Sequence, residues 1–581
     1  MSVSGFPGLA FQSSLGKLRR LKVFGQLSSS SRRLAAIGTG LLWAAAFPKI
    51  GFAGAAWLAP GLLLLLTMRS GHGQAFRLGY LAGLAQSLAS LYWLLAIPVT
   101  GAPIFGWLAL GAYLALYPAL WIWLCWKIFP KATACEPRLD QGVIPAGISP
   151  SAPPTPGATA ELGWFQRAGW LLGCAAIWVA LEMVLGRFLS GYPWLFLGMS
   201  QYKILPLIHI ASVTGIYGVS FLVAWSSVSF ACAVAAVVSR PHPVRSYLAD
   251  VRLPLLVLAV VVGFGFAKLV GQPAPVRELK VALVQPSIPQ SMIWDSKDNT
   301  NRFNQLLRLS ELALATQPEL LIWPEAAVPT ELRYDAPTLE AVARLVRDHQ
   351  VWMIVGSDDA EPSKSSKNPK DVDYFNSAFL VSPAGQLVAK YDKRRLVIFG
   401  EYVPLAQWLP FLKHLTPIQG GFTPGEKPVW FEMVEPHAKV SVLICFEDAF
   451  PHLAREYVQA DTDFLVNLTN DGWFGEGPAQ WQHAANAVFR AVENDVPLVR
   501  CTNNGLTCWI DRFGGLHEVY FGDSPDVYRA GFKTAKIPLL ALGEKRAPTF
   551  YNRHGDLFGW SCVGVTALAL VRRRCVSRPA I

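Results

Sequence analysis

A chain of 581 residues that is 52% hydrophobic and only 16% charged is too apolar for an ordinary soluble globular protein, so its long apolar runs call for a bilayer. The formal net charge of +11 does not point to nucleic acid, because Lys and Arg bracket the apolar runs instead of lining one basic face. Nine cysteines without a CxxC pair and ten histidines without an HExxH pattern give no zinc site and no disulfide framework, so neither a metal nor a cofactor is expected.

Residues 1–33 read as a basic tail, after which eight apolar runs reach or approach the span length of about 17 to 25 residues. They fall at 34–49, 52–68, 78–98, 104–126, 168–186, 215–239, 253–270 and 556–571, with a piece at 205–213 too short to cross and read as interfacial. Ala44-Ala45-Ala46 resembles a signal-cleavage site, but the basic region before it is unusually long and more spans follow, so the first run is read as a retained span. The loop at 128–166 contains a Pro, Ala and Ser-rich stretch with no material for a core and is expected to be flexible. On alternate sides of the eight runs, short loops and tails carry 19 Lys and Arg on one side and three (Lys49, Arg187, Lys203) on the other. That asymmetry predicts both termini in the cytoplasm, including the basic tail 572–581, with everything from about 271 to 555 outside.

Within 276–545 the pattern changes to short apolar β runs separated by polar helical stretches, the signature of an α/β domain. KVALVQP, ELLIWPE, WMIVGS, NSAFLVSP, VSVLICFED, DFLVNLTND and PLVRCTNNG are the expected strands, apolar enough to be buried on both faces. Glu325, Lys393 and Cys445 each stand where such a run ends, and strand ends are where open α/β sheets gather their sites. Singly, each has an ordinary explanation as a solvated turn residue, a member of a basic run or a core thiol. Together they are a chemically complete acyl-transfer set: a carboxylate to take the thiol proton and return it, a thiol nucleophile, and a cation for the oxyanion. If Asn504-Gly505 makes a two-residue hairpin turn, Cys501 faces Cys508 and a disulfide between them is geometrically possible.

The ordered motifs IWPEAAVP, YDKRRLVIFGEYVPL and LICFEDAFP resemble the nitrilase (carbon-nitrogen hydrolase) superfamily, and NLTNDGWFG and QHAANAVFRAVENDVPLVRCTNNG are similar to its later strands. With seven spans before this domain and one after it, plus GYPWLFLG and FGEYVPL, the whole chain resembles the apolipoprotein N-acyltransferase family. The resemblance implies an α-helical polytopic membrane domain joined to an αββα sandwich, in a bacterial inner membrane with the catalytic domain periplasmic. It implies Cys445 as nucleophile, Glu325 as general base and acid, and Lys393 as oxyanion stabiliser. Glu401 and Glu447 match further acidic positions that orient Lys393 or the incoming amine, and Trp294 matches a loop tryptophan that holds lipid. Phe446 stands where the family commonly has Tyr, which keeps the ring and loses the hydroxyl. The implied partners are a phospholipid acyl donor, a diacylated lipoprotein acceptor and the bilayer, served by a monomer. A membrane-anchored amidase acting on a soluble compound is the competing reading, and it leaves eight spans unexplained, since one is enough for tethering.

Overall fold

The computed structural model describes residues 28–68, 70–99, 102–130, 162–239, 245–272, 274–293, 295–364, 368, 370–404 and 421–576. Trp294 lies outside the described residues, as do most of the basic N-terminal tail and of the loop expected at 128–166.

Backbone amides have no partner in lipid, so apolar runs fold as helices that satisfy them internally. Among the described residues, seven helices of nine residues or more precede the sheet domain: α1 (Ser29–Ala44), α2 (Ala59–Thr67), α3 (His72–Ser90), α4 (Ala102–Lys127), α5 (Trp164–Leu185), α6 (Ile216–Ser239) and α7 (Arg245–Leu269). An eighth, Leu557–Val576, follows it. Among the described residues, four helices are long and apolar enough to cross a membrane: Pro103–Lys127, Trp164–Leu185, Ile216–Val237 and Ala249–Leu269. The first helix begins earlier than its apolar run, because the Ser28 hydroxyl caps it by accepting from the Ser31 amide at 3.1 Å. Arg32 and Arg33 therefore stand within its first two turns. The run expected at 52–68 splits into a 3₁₀ turn, Ala53–Trp57, and α2, while the run at 78–98 leaves α-helix at Ser90 and continues as a 3₁₀ turn, Tyr92–Ala96. The interfacial piece forms two short helices, Leu205–Ile208 and Ala211–Thr214, that end at Gly215. Glycine is needed there: φ is +65° and a Cβ would sit 2.6 Å from the Tyr551 ring.

The sheet domain holds β1 (Arg277–Gln285), α8 (Asn299–Leu314), β2 (Leu320–Ile322), α9 (Ala336–His349), β3 (Trp352–Pro362), β4 (Val372–Val381), β5 (Leu387–Asp392), β6 (Trp430–Met433), β7 (Ala438–Ile444), β8 (Phe464–Thr469), α10 (Ala479–Asn494), β9 (Leu498–Thr502), β10 (Cys508–Ile510), β11 (Leu516–His517) and β12 (Gly531–Leu539). Two six-stranded sheets result, in the orders β12-β1-β2-β3-β4-β5 and β11-β10-β9-β8-β7-β6. They share one core in which Val281, Leu283 and Ile354 of the first join Val442, Val466 and Val499 of the second. The amphipathic α8 and α9 cover the outer face of the first sheet, where Leu306, Val342 and Val346 meet Val284, Leu321 and Met353.

α10 is amphipathic too, yet every residue of it except Trp481 is buried. Its polar side chain Gln482 faces the connections between the apolar helices. The Gln482 carboxamide uses all four of its hydrogen-bonding positions there: Oε1 accepts from the Trp93 and Trp194 indoles at 3.1 and 2.8 Å, and Nε2 donates to the carbonyls of Pro48 and Ser90 at 2.8 and 3.0 Å. At the penultimate position of α10, Glu493 accepts from the Ile216 amide at 2.8 Å and so caps α6.

Register excludes a Cys501–Cys508 disulfide. Cys508 pairs with Arg500, one residue off the pairing that a two-residue turn would impose, so Cys501 and Cys508 point to opposite faces of the second sheet. Both are free and buried, and the Cys501 thiol donates to the carbonyls of Val284 and Ile322 in the first sheet.

Candidate active site

Three strands end together on one edge of the sandwich. β2 ends at Ile322 and delivers Glu325 through Trp323-Pro324, β5 ends at Asp392 and delivers Lys393, and β7 ends at Ile444 and delivers Cys445. The Glu325 turn passes so close to β3 that a Cβ on Gly356 would lie 2.1 Å from the Pro324 carbonyl oxygen and 2.9 Å from the Glu325 Cα. Glycine at 356 is thus a condition for the placement of Glu325.

Lys393 is only 1% exposed and its ammonium lies between two carboxylates, 3.1 Å from Glu325 Oε1 and 2.7 Å from Glu401 Oε1. Asn376 on β4 donates to the same two oxygens, at 2.8 and 3.0 Å. Burial alone would lower the lysine pKa, but Glu325 and Glu401 override it and hold the ammonium well above its ordinary range. The Cys445 thiol is pushed well above its own, first by burial and then by the negative charge of Glu325, with Lys393 and the Thr469 hydroxyl opposing. The resting proton is therefore on sulfur, so a base has to remove it.

Cys445 sits at φ +53°, a left-handed conformation that costs a non-glycine residue on the order of 1–3 kcal/mol. Its carbonyl is held by two donors, Asn467 Nδ2 at 2.9 Å and His483 Nε2 at 3.1 Å. His483 is buried in a four-member charge cluster, with Asp448 and Asp471 each 2.8 Å from its ring nitrogens and Arg500 paired to both aspartates. Burial opposes its charge, but Asp448 and Asp471 raise its pKa to about 9. An imidazolium donating from both nitrogens fits this arrangement.

Glu447 is fully buried and ties the turn together: it accepts from the amides of Ile444, Arg394 and Arg395 and from the Tyr391 hydroxyl, all within 3.0 Å. It links the cysteine turn to the backbone that follows Lys393, while Glu401 touches the ammonium directly. Phe446 packs on the loop after α5, with ring centroids 5.6 Å from Trp194 and 6.1 Å from Tyr192, and Trp194 in turn lies 5.1 Å from the His483 ring. Asn376, Asn467, His483, Asp448, Asp471 and Arg500 were not singled out from the sequence. The available signal was a charge inside an apolar strand (LVRCT) or on a buried helix, which needs a partner to be tolerated.

A thiol, a carboxylate and a caged ammonium at the strand ends of a two-sheet sandwich define a carbon-nitrogen hydrolase type of domain, here joined to a bundle of apolar helices. Residues 280–524 match the family model for carbon-nitrogen hydrolase, and residues 39–229 match that for the apolipoprotein N-acyltransferase N-terminal domain. An apolipoprotein N-acyltransferase of Geobacter metallireducens is 36% identical over 93% of this chain and 95% of its own length. One from Vibrio cholerae is 30% identical over 84% of this chain and 88% of its own. The chain belongs to the apolipoprotein N-acyltransferase family. Among solved structures, an amidase from Nesterenkonia sp. aligns at 16% identity with a TM-score of 0.33, covering 46% of this chain and 93% of that one.

Proposed function

We propose that the protein moves a fatty acyl group from a membrane phospholipid to the N-terminal α-amine of a diacylglyceryl-cysteine on a lipoprotein, through a thioester on Cys445. The observation that carries this reading is the Glu325–Lys393–Glu401 cage beside a thiol that keeps its proton at rest. As the sulfur attacks the ester carbonyl, Glu325 takes its proton, and Lys393 with the Phe446 amide stabilises the oxyanion. Collapse breaks the carbonyl–oxygen ester bond, Glu325 returns the proton to the departing glycerol oxygen, and a lysophospholipid leaves. The neutral lipoprotein amine then attacks the thioester, Glu325 takes the amine proton, and the expelled sulfur recovers it, leaving an amide. Glu401 and Asn376 orient the lysine, and Asn467 and His483 orient the cysteine.

The membrane part fits the same reading as eight spans with both termini cytoplasmic and the sheet domain periplasmic, supported by the 19-to-three distribution of Lys and Arg. The catalytic domain occupies about 276–545, and Tyr192, Trp194 and Phe446 form an apolar wall that keeps water from the thioester. The test supplies phospholipid and a diacylglyceryl-cysteine peptide to the full chain in micelles and measures both products. Equal yields of lysophospholipid and N-acyl peptide with ping-pong kinetics are expected. Hydrolysis of a soluble amide without lysophospholipid would instead favour a tethered amidase.

A further inference from the structure

Two residues past Lys393, a cavity of about 200 Å³ opens where the sheet domain meets the loop after α5. Ser190, Arg394, Arg395 and Tyr402 supply its polar lining. The two arginines differ in how their charge is met. Arg394 is paired with Glu456 at 3.0 Å. Arg395 has no carboxylate partner among the described residues, and its Nε is buried without a hydrogen bond. Its guanidinium lies over the Phe450 ring at 4.8 Å, and Phe450 is 5.0 Å from Phe446, so the uncompensated charge is two rings away from the residue that follows Cys445. Burial lowers the Arg395 pKa, with Tyr402 opposing, a cost that no carboxylate among the described residues offsets. The Ser190 and Tyr402 hydroxyls are hydrogen-bonded to each other at 2.7 Å across the junction. A guanidinium fork beside two hydroxyls offers donors to an oxyanion such as a phosphate, and the second guanidinium adds to the field.

We propose that this cavity is an anion subsite that binds the phosphate of the acyl donor through Arg395, with Arg394, Ser190 and Tyr402 in support. It rests on the acyl-transfer reading and deepens it. In a glycerophospholipid the ester carbonyl and the phosphate are joined by the short glycerol backbone, so a donor held by its phosphate at Arg395 is tethered close to Cys445. Binding energy from this remote group then positions the reacting ester.

The test compares two acyl donors on the full-length protein in neutral micelles: dioleoyl phosphatidylethanolamine, and p-nitrophenyl butyrate, an ester without phosphate. The rate of Cys445 acylation is followed by intact mass. Arg395→Gln should lower the ratio of the phospholipid rate to the nitrophenyl ester rate at least tenfold, mainly through half-saturation, and Arg395→Lys should lower it less. A ratio within twofold of wild type in Arg395→Gln, whether both rates hold or fall together, overturns the subsite. Added inorganic phosphate separates the two sources of the anion. Selective slowing of the phospholipid reaction in the wild type shows that free phosphate is also accepted, while a fallen ratio without such slowing assigns the site to the lipid-borne phosphodiester. If neither donor modifies Cys445, the thioester reading itself fails. If both do and the ratio ignores Arg395, only the subsite fails.

Discussion

Replacing Lys393 with arginine keeps the charge and should still cripple acyl transfer. The ammonium is 1% exposed, with carboxylate oxygens at 2.7 and 3.1 Å and an asparagine amide donating to the same oxygens, so no room is left for a planar fork. The larger group has to back away from the reacting carbonyl. With an effective dielectric constant of about 20, moving a unit charge from about 3 to about 5 Å from an oxyanion forfeits about 2 kcal/mol. Loss of an aligned charge-assisted hydrogen bond adds up to about 2 more. The expected fall of about 2–4 kcal/mol in transition-state stabilisation is a rate loss of about 30- to 900-fold. The assay is single-turnover formation of the Cys445 adduct from phospholipid, read by intact mass, with thermal unfolding in the same detergent as the folding control. A folded variant that acylates within threefold of wild type would refute the role given to Lys393.

Three further outcomes follow from the neighbours of the reacting groups. Gly356→Ala removes no reacting atom but drives a methyl against the Pro324 carbonyl, so it should displace Glu325 and slow adduct formation at least tenfold, whereas alkylation of Cys445 by iodoacetamide at high pH persists. Asn467→Leu removes one of the two donors on the Cys445 carbonyl and leaves Arg500 short of an acceptor. It should cost about 1–3 kcal/mol in stability and slow acylation more than substrate binding, as a split between kcat and KM would show. His483 is raised from 6.5 to about 9 in the folded protein, so its contribution is complete below about pH 6.5 and is lost as pH rises through about 9. The wild-type unfolding midpoint should fall between about pH 7 and about pH 10, and His483→Gln, less stable at neutral pH, should lose most of that slope; an equal slope in both would remove the histidine from the account.

Seven strands were readable because their apolar runs are bounded by turn residues and buried on both faces, as in β7 and β8. β12 was not, because it pairs with β1 along one side only and alternates buried residues with less buried ones, among them the exposed Lys536. β10 and β11, of three and two residues, are too short to show a period. The apolar run at 78–98 leaves α-helix near its C-terminal end, where the Ser90 carbonyl accepts from Gln482, a tertiary contact that no local pattern encodes. Glu325, Lys393 and Cys445 were legible as residues whose chemistry fits one reaction at three strand ends. Asn376, Asn467 and His483 were not, because an amide or imidazole in an apolar run looks alike whether it faces solvent, a helix end or a nucleophile. The Cys501–Cys508 register slipped by one because the turn after β9 carries a residue more than a two-residue hairpin.

The most direct test of the account is the mass of the peptide containing Cys445 after the full chain has been incubated with phospholipid alone. Glu325 can both deprotonate the thiol and protonate the leaving glycerol oxygen, so the first half-reaction needs no acceptor and its product should accumulate. The expected result is a gain of one acyl chain on Cys445 that hydroxylamine removes and an added diacylglyceryl-cysteine peptide consumes, absent in Cys445→Ala and slow to form in Glu325→Gln. An unmodified Cys445 in a protein that still transfers acyl chains, or transfer by Cys445→Ala, would contradict it.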